Sequence, residues 1–188
     1  MTISNLKTYM ADYAKDIKLN LGSVISEEGA QGLSASQLYG VALASAYSTK
    51  HPTVIQAISG EAEPHLSVEE IQAAKSAATI MAMNNIYYRF IHLSSDKEYA
   101  KLPANLRMSV IGKPGIDKAD FELMSLAVSA INGCGMCIDA HVREVEKGGI
   151  SKQGVQSAIR IAAVVAASAQ GVTIEEAASN NQLSSEAA

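Results

Sequence analysis

Two cysteines occur in this 188-residue chain, three positions apart, as Cys134-Gly-Met-Cys137. His141 follows four residues after the second, and Glu122 is the sole acidic residue between Phe121 and Met136. Paired thiols beside a histidine suit thiol–disulfide chemistry. Residues i and i+3 of a helix have Cβ atoms about 5–6 Å apart, whereas a disulfide needs roughly 3.5–4.5 Å. Gly133 and Gly135 supply backbone freedom to close that gap. At the start of a helix, exposed N–H groups and the macrodipole stabilise a thiolate. Lowering a thiol pKa from about 8.5 to about 7 raises the thiolate share at neutral pH from a few per cent to about half. Helix-dipole logic favours Cys134 as the attacking thiol. His141, one turn beyond Cys137, favours Cys137.

The elements that must position these groups are helices. Hydrophobic residues make up 48% of the chain, charged residues 18% and aromatics 5%. Such a composition, rich in alanine, serine and leucine, favours close-packed helices over sheet, and the length suffices for one domain with a real core. A net charge of −4 leaves no basic footprint for nucleic acid or anionic lipid. The N-terminal segment has no apolar signal region. The longest apolar run, Ile159 to Ala169, is too short to span a bilayer and carries Arg160. The expectation is a cytoplasmic protein that uses its Cys-x-x-Cys for redox or metal chemistry.

Periodicity predicts helices over Ser4–Leu21, Ser34–Ser48, Pro52–Ser59, Ser67–Ile91, Asp117–Ile131, Cys134–Lys147 and Ser151–Gln170, with a short one opening at Thr173. Residues 92–115 read as mostly irregular, and the polar tail at 180–188 as disordered. The fold class expected is all-α, with about eight helices in a single domain. The helix order occurs twice. A slide of 85 sets Gln37, Thr49, Pro52 and Gln56 on Glu122, Cys134, Cys137 and His141, and a slide of 84 matches the following helices. The predicted duplication has a degenerate half at about 33–92 and an active half at about 117–171.

An antiparallel hairpin about Gly133 would put Glu122 and His141 about 16 and 12 Å from the turn, near each other in depth. Glu122, Ser125 and Ser129 form a polar stripe on an otherwise apolar helix. A buried carboxylate there needs a partner, and His141 is the candidate; a solvated stripe is the alternative. Zinc is the competing chemistry, but structural zinc sites use two ligand pairs and a second pair is missing. No strand pattern precedes Cys134, which excludes a thioredoxin domain. His51, His65 and His92 read as structural or surface residues, Tyr87, Tyr88 and Arg89 as core packing with a partner surface as the alternative, and Asp139, Arg143 and Glu144 as solvated.

The pattern Glu122…Cys134-Gly-Met-Cys137-Ile-Asp-Ala-His141, within LPANLRMSVIGKPGIDKADFELMSLAVSAINGCGMCIDAH, resembles the alkyl hydroperoxide reductase D family of the wider carboxymuconolactone decarboxylase-like superfamily. The resemblance implies an all-helical protomer with a duplicated core, assembled as a homotrimer. It implies an antioxidant peroxidase and disulfide reductase that binds no cofactor, reduces organic hydroperoxides and regenerates a partner peroxiredoxin, alkyl hydroperoxide reductase C. Electrons would come from dihydrolipoyl groups on a 2-oxoacid dehydrogenase component. Carried over, Cys137 is the attacking thiolate that becomes a sulfenic acid, Cys134 the proton donor and resolving thiol, and His141 and Glu122 the proton-shuttling pair. Some members have a histidine just before the second cysteine. Met136 stands there in this chain, so the relay comprises four residues. Other functions to weigh are a lactone decarboxylase or isomerase, which needs no cysteine pair, and a zinc-stabilised redox-sensing module.

Overall fold

Helix starts are set by local hydrogen bonding. Thr2, Ser34 and Ser67 each accept a bond from the backbone three residues on, and Asn5, Gln37 and Glu70 return it to the capping residue. Asp117 caps another helix by accepting from the backbone N–H groups of Ala119 and Asp120. His51 precedes Pro52, which takes the first helical position, where its missing N–H costs nothing.

The computed structural model describes residues 1–186. Among the described residues there are nine α-helices and no strand: α1 (Ile3–Thr8), α2 (Lys15–Val24), α3 (Ala35–Thr49), α4 (Pro52–Ala62), α5 (Val68–Leu93), α6 (Ser109–Gly112), α7 (Lys118–Ile131), α8 (Gly135–Lys147) and α9 (Lys152–Glu186). Short 3-10 turns occur at Asp12–Ala14, Glu63–His65 and Lys97–Lys101. The protein is all-α, as its composition predicts.

α3 and α7 sit at the centre and pack on each other. Each is buried over most of its circumference: Leu38, Val41, Leu43 and Ala44 on one, Phe121, Leu123, Leu126 and Val128 on the other. Around them lie α4, α5, α8 and α9, with α2 on the outer side of α9. Fully burying a leucine or phenylalanine contributes about 1.5–3 kcal/mol, so this pair anchors the fold and with it the hairpin that α7 makes with α8.

Two expected elements differ. The single helix predicted over Ser4–Leu21 is broken between α1 and α2. Its apolar positions do not share a face, because Leu6, Met10 and Leu21 are buried while Tyr13 is exposed. The break turns Met10 into the core. The last helix does not stop at Gln170. α9 continues through Thr173, with no separate short helix there, and its backbone stays helical through 180–186 where a disordered tail was expected; 187–188 lie outside the described residues. Gly171, inside α9, is the place where Met10 approaches: a Cβ there would lie 3.1 Å from the Met10 sulfur. The stretch Lys152–Ser179 is long and apolar enough to cross a bilayer by length and composition, unlike the eleven-residue run read from sequence, but half of it is buried in the fold. Ile161, Val165 and Val172 make it a core helix.

Candidate active site

The turn between α7 and α8 brings the cysteines together. Gly133 adopts φ +67°, a left-handed conformation that costs a residue with a side chain about 1–2 kcal/mol. Cys134 is the N-cap of α8, with φ −97° and ψ 90°, so the helix starts at Gly135 and not at Cys134 as periodicity suggests. This extended residue, and not an ideal helical i,i+3 pair, lets the sulfurs meet. They form a disulfide, with Cα atoms 5.3 Å apart. Cys137 then lies in the first turn of α8, where the helix N-terminus favours its thiolate when reduced.

Both cysteines are buried, but only one borders a cavity. Cys134 is 0% exposed and Cys137 6%. A cavity of about 420 Å³ is lined by Cys137 and His141, with Glu122 and Lys118 beside them. Tyr88, Met108, Ile111 and Met136 give it apolar walls, and Cys134 does not line it. Of the two cysteines, Cys137 is thus the one that borders this cavity.

The structure brings Glu122 and His141 together, with His141 Nδ1 2.5 Å from Glu122 Oε2. Glu122 is 3% exposed, so the reading of its stripe as solvated does not apply; Ser125 and Ser129 are buried too. Its other oxygen accepts a hydrogen bond from half-exposed Lys118, one turn earlier on α7. Burial pushes the Glu122 carboxyl up, but the hydrogen bonds and charges of His141 and Lys118 outweigh it and hold the pKa below the ordinary glutamate value. The ionised carboxylate can only accept, so Nδ1 of His141 carries the proton. Nε2 faces the Met81 sulfur at 3.2 Å. A thioether is a weak acceptor, so Glu122 is the strong hydrogen-bond partner of this ring. The pair can store and return a proton inside the cavity that holds Cys137.

The first half of the chain contributes more than scaffold. Met81, Asn85 and Arg89 recur every four residues on α5 and reach the redox hairpin. Asn85 donates to Ser129 Oγ (2.9 Å) and accepts from the Asn132 side chain (2.9 Å), while Arg89 donates to the Asn132 carbonyl at 2.6 Å. The Cys134 N–H donates to the Ser129 carbonyl, which closes the turn. Tyr88 lines the cavity, and the His92 ring lies beside Gly135. Sequence reasoning passed over Lys118, Met81 and Asn85. A signal existed for the last: Asn84-Asn85 interrupts a helix segment otherwise apolar from Ile80 to Ile86, and buried amides need partners. Asn85→Leu is expected to lower the unfolding free energy by about 1–3 kcal/mol, because it strands Ser129 and Asn132. The guanidinium-unfolding midpoint measures this.

The remaining sequence candidates lie elsewhere. His51 pairs with Glu176 at 3.3 Å, and His65 stacks on Tyr39 with centroids 3.9 Å apart. Asp139, Arg143 and Glu144 are exposed, with Glu144 at the cavity.

An all-helical chain with a disulfide-forming pair, a histidine and a carboxylate on one hairpin defines a class. Residues 97–179, which hold all four groups, match the model of the Carboxymuconolactone decarboxylase family. Over nearly its whole length the chain is similar to proteins named alkyl hydroperoxide reductase AhpD. That of Coxiella burnetii (strain RSA 493 / Nine Mile phase I) is 57% identical over 173 residues, covering 92% of this chain and 98% of the relative. That of Streptomyces coelicolor is 54% identical over 175 residues (93% and 96%), and that of a Bradyrhizobium species 52% over 186 residues (99% and 100%). The chain belongs to the AhpD family.

Proposed function

We propose that the protein is a dithiol peroxidase and disulfide reductase that reduces alkyl hydroperoxides through the Cys134–Cys137 pair. The observation that carries this reading is the asymmetry of the pair: Cys137 borders a cavity that also holds the Glu122–His141 couple, while Cys134 is fully buried and does not line it. The name shared by the relatives supports the same substrate class. In the reduced enzyme the Cys137 thiolate attacks the terminal peroxide oxygen. The O–O bond breaks, the alkoxide takes a proton from His141 and leaves as the alcohol, and Cys137 becomes a sulfenic acid. The Cys134 thiol then attacks that sulfur. Water leaves and the disulfide forms.

Reduction runs through Cys137, the cysteine that borders the cavity. One thiolate of a dihydrolipoyl group attacks Cys137, releasing Cys134 as a thiolate. The second thiol of the donor then resolves the mixed disulfide, leaving lipoyl disulfide and the enzyme dithiol. In the same cycle the reduced pair regenerates an AhpC-type peroxiredoxin. The lipoyl donor sits on a 2-oxoacid dehydrogenase component, and the enzyme works in the cytoplasm as a homotrimer. Exposed Leu93, Tyr99 and Leu102 offer apolar surface for that assembly. A lactone decarboxylase would make no use of the cysteine pair.

The test is a coupled assay with lipoylated protein and cumene hydroperoxide, run with and without the peroxiredoxin. Expected is peroxide-dependent consumption of dihydrolipoyl groups that rises when the peroxiredoxin is added. Reduced protein that forms no intramolecular disulfide on adding peroxide would end this reading.

A further inference from the structure

The turn that leads from α7 to the cysteines is restrained from α5. Cys134 lies outside the regular helix, and Gly133 before it holds a left-handed φ of +67°. Apart from its chain neighbours, no heavy atom lies within 4 Å of where a Cβ on Gly133 would sit, so packing does not fix that residue. Hydrogen bonds do. Ser129, whose carbonyl accepts from the Cys134 N–H at 3.1 Å, receives a bond on its hydroxyl from Asn85. Asn132, next to Gly133, donates from its side chain to Asn85 and accepts on its carbonyl from Arg89. The turn is thus tied to two side chains that stand one helical turn apart. α5 supports them firmly, because Ala74, Ala77 and Met81 are buried in a core shared with α3 and α7.

These bonds matter most when the disulfide is open. In the oxidised chain the S–S bond itself holds Cys134 beside Cys137. After reduction that restraint is gone, and Gly133 has access to backbone conformations closed to other residues. The network from Asn85 and Arg89 is then what keeps one sulfur facing the other. The tendency of a dithiol to close follows the effective concentration of one thiol at the other, and loss of preorganisation lowers it. Such coupling is reciprocal: bonds that favour the closed turn also favour the disulfide.

We propose that Arg89 and Asn85 are positioning residues that set the reduction potential of the Cys134–Cys137 pair, by holding the Asn132–Gly133–Cys134 turn in its disulfide-forming shape after reduction. The half of the chain that carries no reactive group thereby tunes the half that does. This inference rests on the redox reading of the pair only in taking it to cycle between dithiol and disulfide.

Equilibration of the full-length protein with mixtures of reduced and oxidised dithiothreitol tests it, with the dithiol fraction read by alkylation and mass spectrometry. In the exchange the two thiols of dithiothreitol become its cyclic disulfide, and Cys134 and Cys137 take up the two electrons and two protons. Arg89→Met is expected to move the equilibrium at least tenfold toward the dithiol, which is a potential about 30 mV less negative. Tenfold is the lower end of what a hydrogen bond from a charged donor contributes. Asn85→Leu should shift it in the same direction. Ile86→Ala, an exposed position between them on α5, should stay within twofold of wild type. A role confined to overall stability weakens oxidised and reduced forms alike and leaves the equilibrium between them unmoved. Arg89 is exposed, so its variant decides the matter alone if Asn85→Leu does not fold. A shift below tenfold in Arg89→Met, a shift toward the disulfide, or an equal shift in Ile86→Ala would each overturn the proposal. No peroxide enters this equilibrium, so a failed peroxidase assay leaves the proposal standing, and an unmoved potential leaves the peroxidase reading standing.

Discussion

Cys137→Ser is expected to abolish peroxide reduction, with a loss of about three orders of magnitude or more, whereas Cys134→Ser should keep the first chemical step and stop after it. The argument rests on the unequal surroundings of two residues three apart. Cys137 borders the cavity and lies in the first turn of α8, where an anion is stabilised. Cys134 is fully buried as the N-cap and does not reach that cavity. A hydroperoxide entering beside Met136 therefore meets Cys137, and serine there is a far weaker nucleophile at neutral pH. In Cys134→Ser the sulfenic acid has no resolving thiol. Trapping with dimedone followed by mass spectrometry should find the adduct on Cys137 in that variant and none in Cys137→Ser. The opposite pattern would exchange the roles of the two residues.

Glu122→Gln is expected to slow disulfide formation from the reduced enzyme by about a hundredfold to ten-thousandfold, the usual scale for losing positioned proton transfer. Glutamine retains the shape but not the carboxylate that His141 and Lys118 contact. The same substitution should change the acid limb of the stability curve. The folded pKa of Glu122 lies below its ordinary value. Its contribution is thus fully present above the ordinary glutamate range and is lost as pH falls through the lowered folded value. Asp120 acts in the opposite sense: burial, reinforced by Asp117 and Glu70 and only partly offset by the Gln37 hydrogen bond, raises its pKa. The difference between wild type and Glu122→Gln isolates the Glu122 part. Above the ordinary range the wild type should be the more stable, and the gap should narrow as the pH drops. A gap independent of pH would show that Glu122 is not held ionised. Stopped-flow fluorescence and chemical denaturation at several pH values supply the two measurements.

Much of this molecule is legible in its sequence, since the relevant forces are local. Ser34 with Gln37, Ser67 with Glu70, and Asp117 ahead of an apolar run mark helix starts through bonds that span three residues. Asn132-Gly133 marks the hairpin turn for the same reason. Given that turn, rise per residue alone sets Glu122 and His141 at similar depth, and the structure places them in contact. The break at Tyr9–Ala11 and the passage of α9 through Gly171 were not legible, because both depend on Met10 packing between segments about 160 residues apart.

The cysteine site divides in the same way. The residue types and spacing specify a thiol pair with a histidine and a carboxylate at hand. Only packing decides that Cys134 is sealed and Cys137 borders a cavity, because exposure depends on neighbours contributed by α5, α6 and α7. Only packing brings Met81 to His141, and Asn85 and Arg89 to the redox turn, from a helix about fifty residues earlier. Periodicity shows which face of a helix is apolar, but not which distant side chain that face will meet. The chemistry available to this protein can therefore be read from residues 121–141, whereas the access, orientation and support of that chemistry come from the rest of the fold.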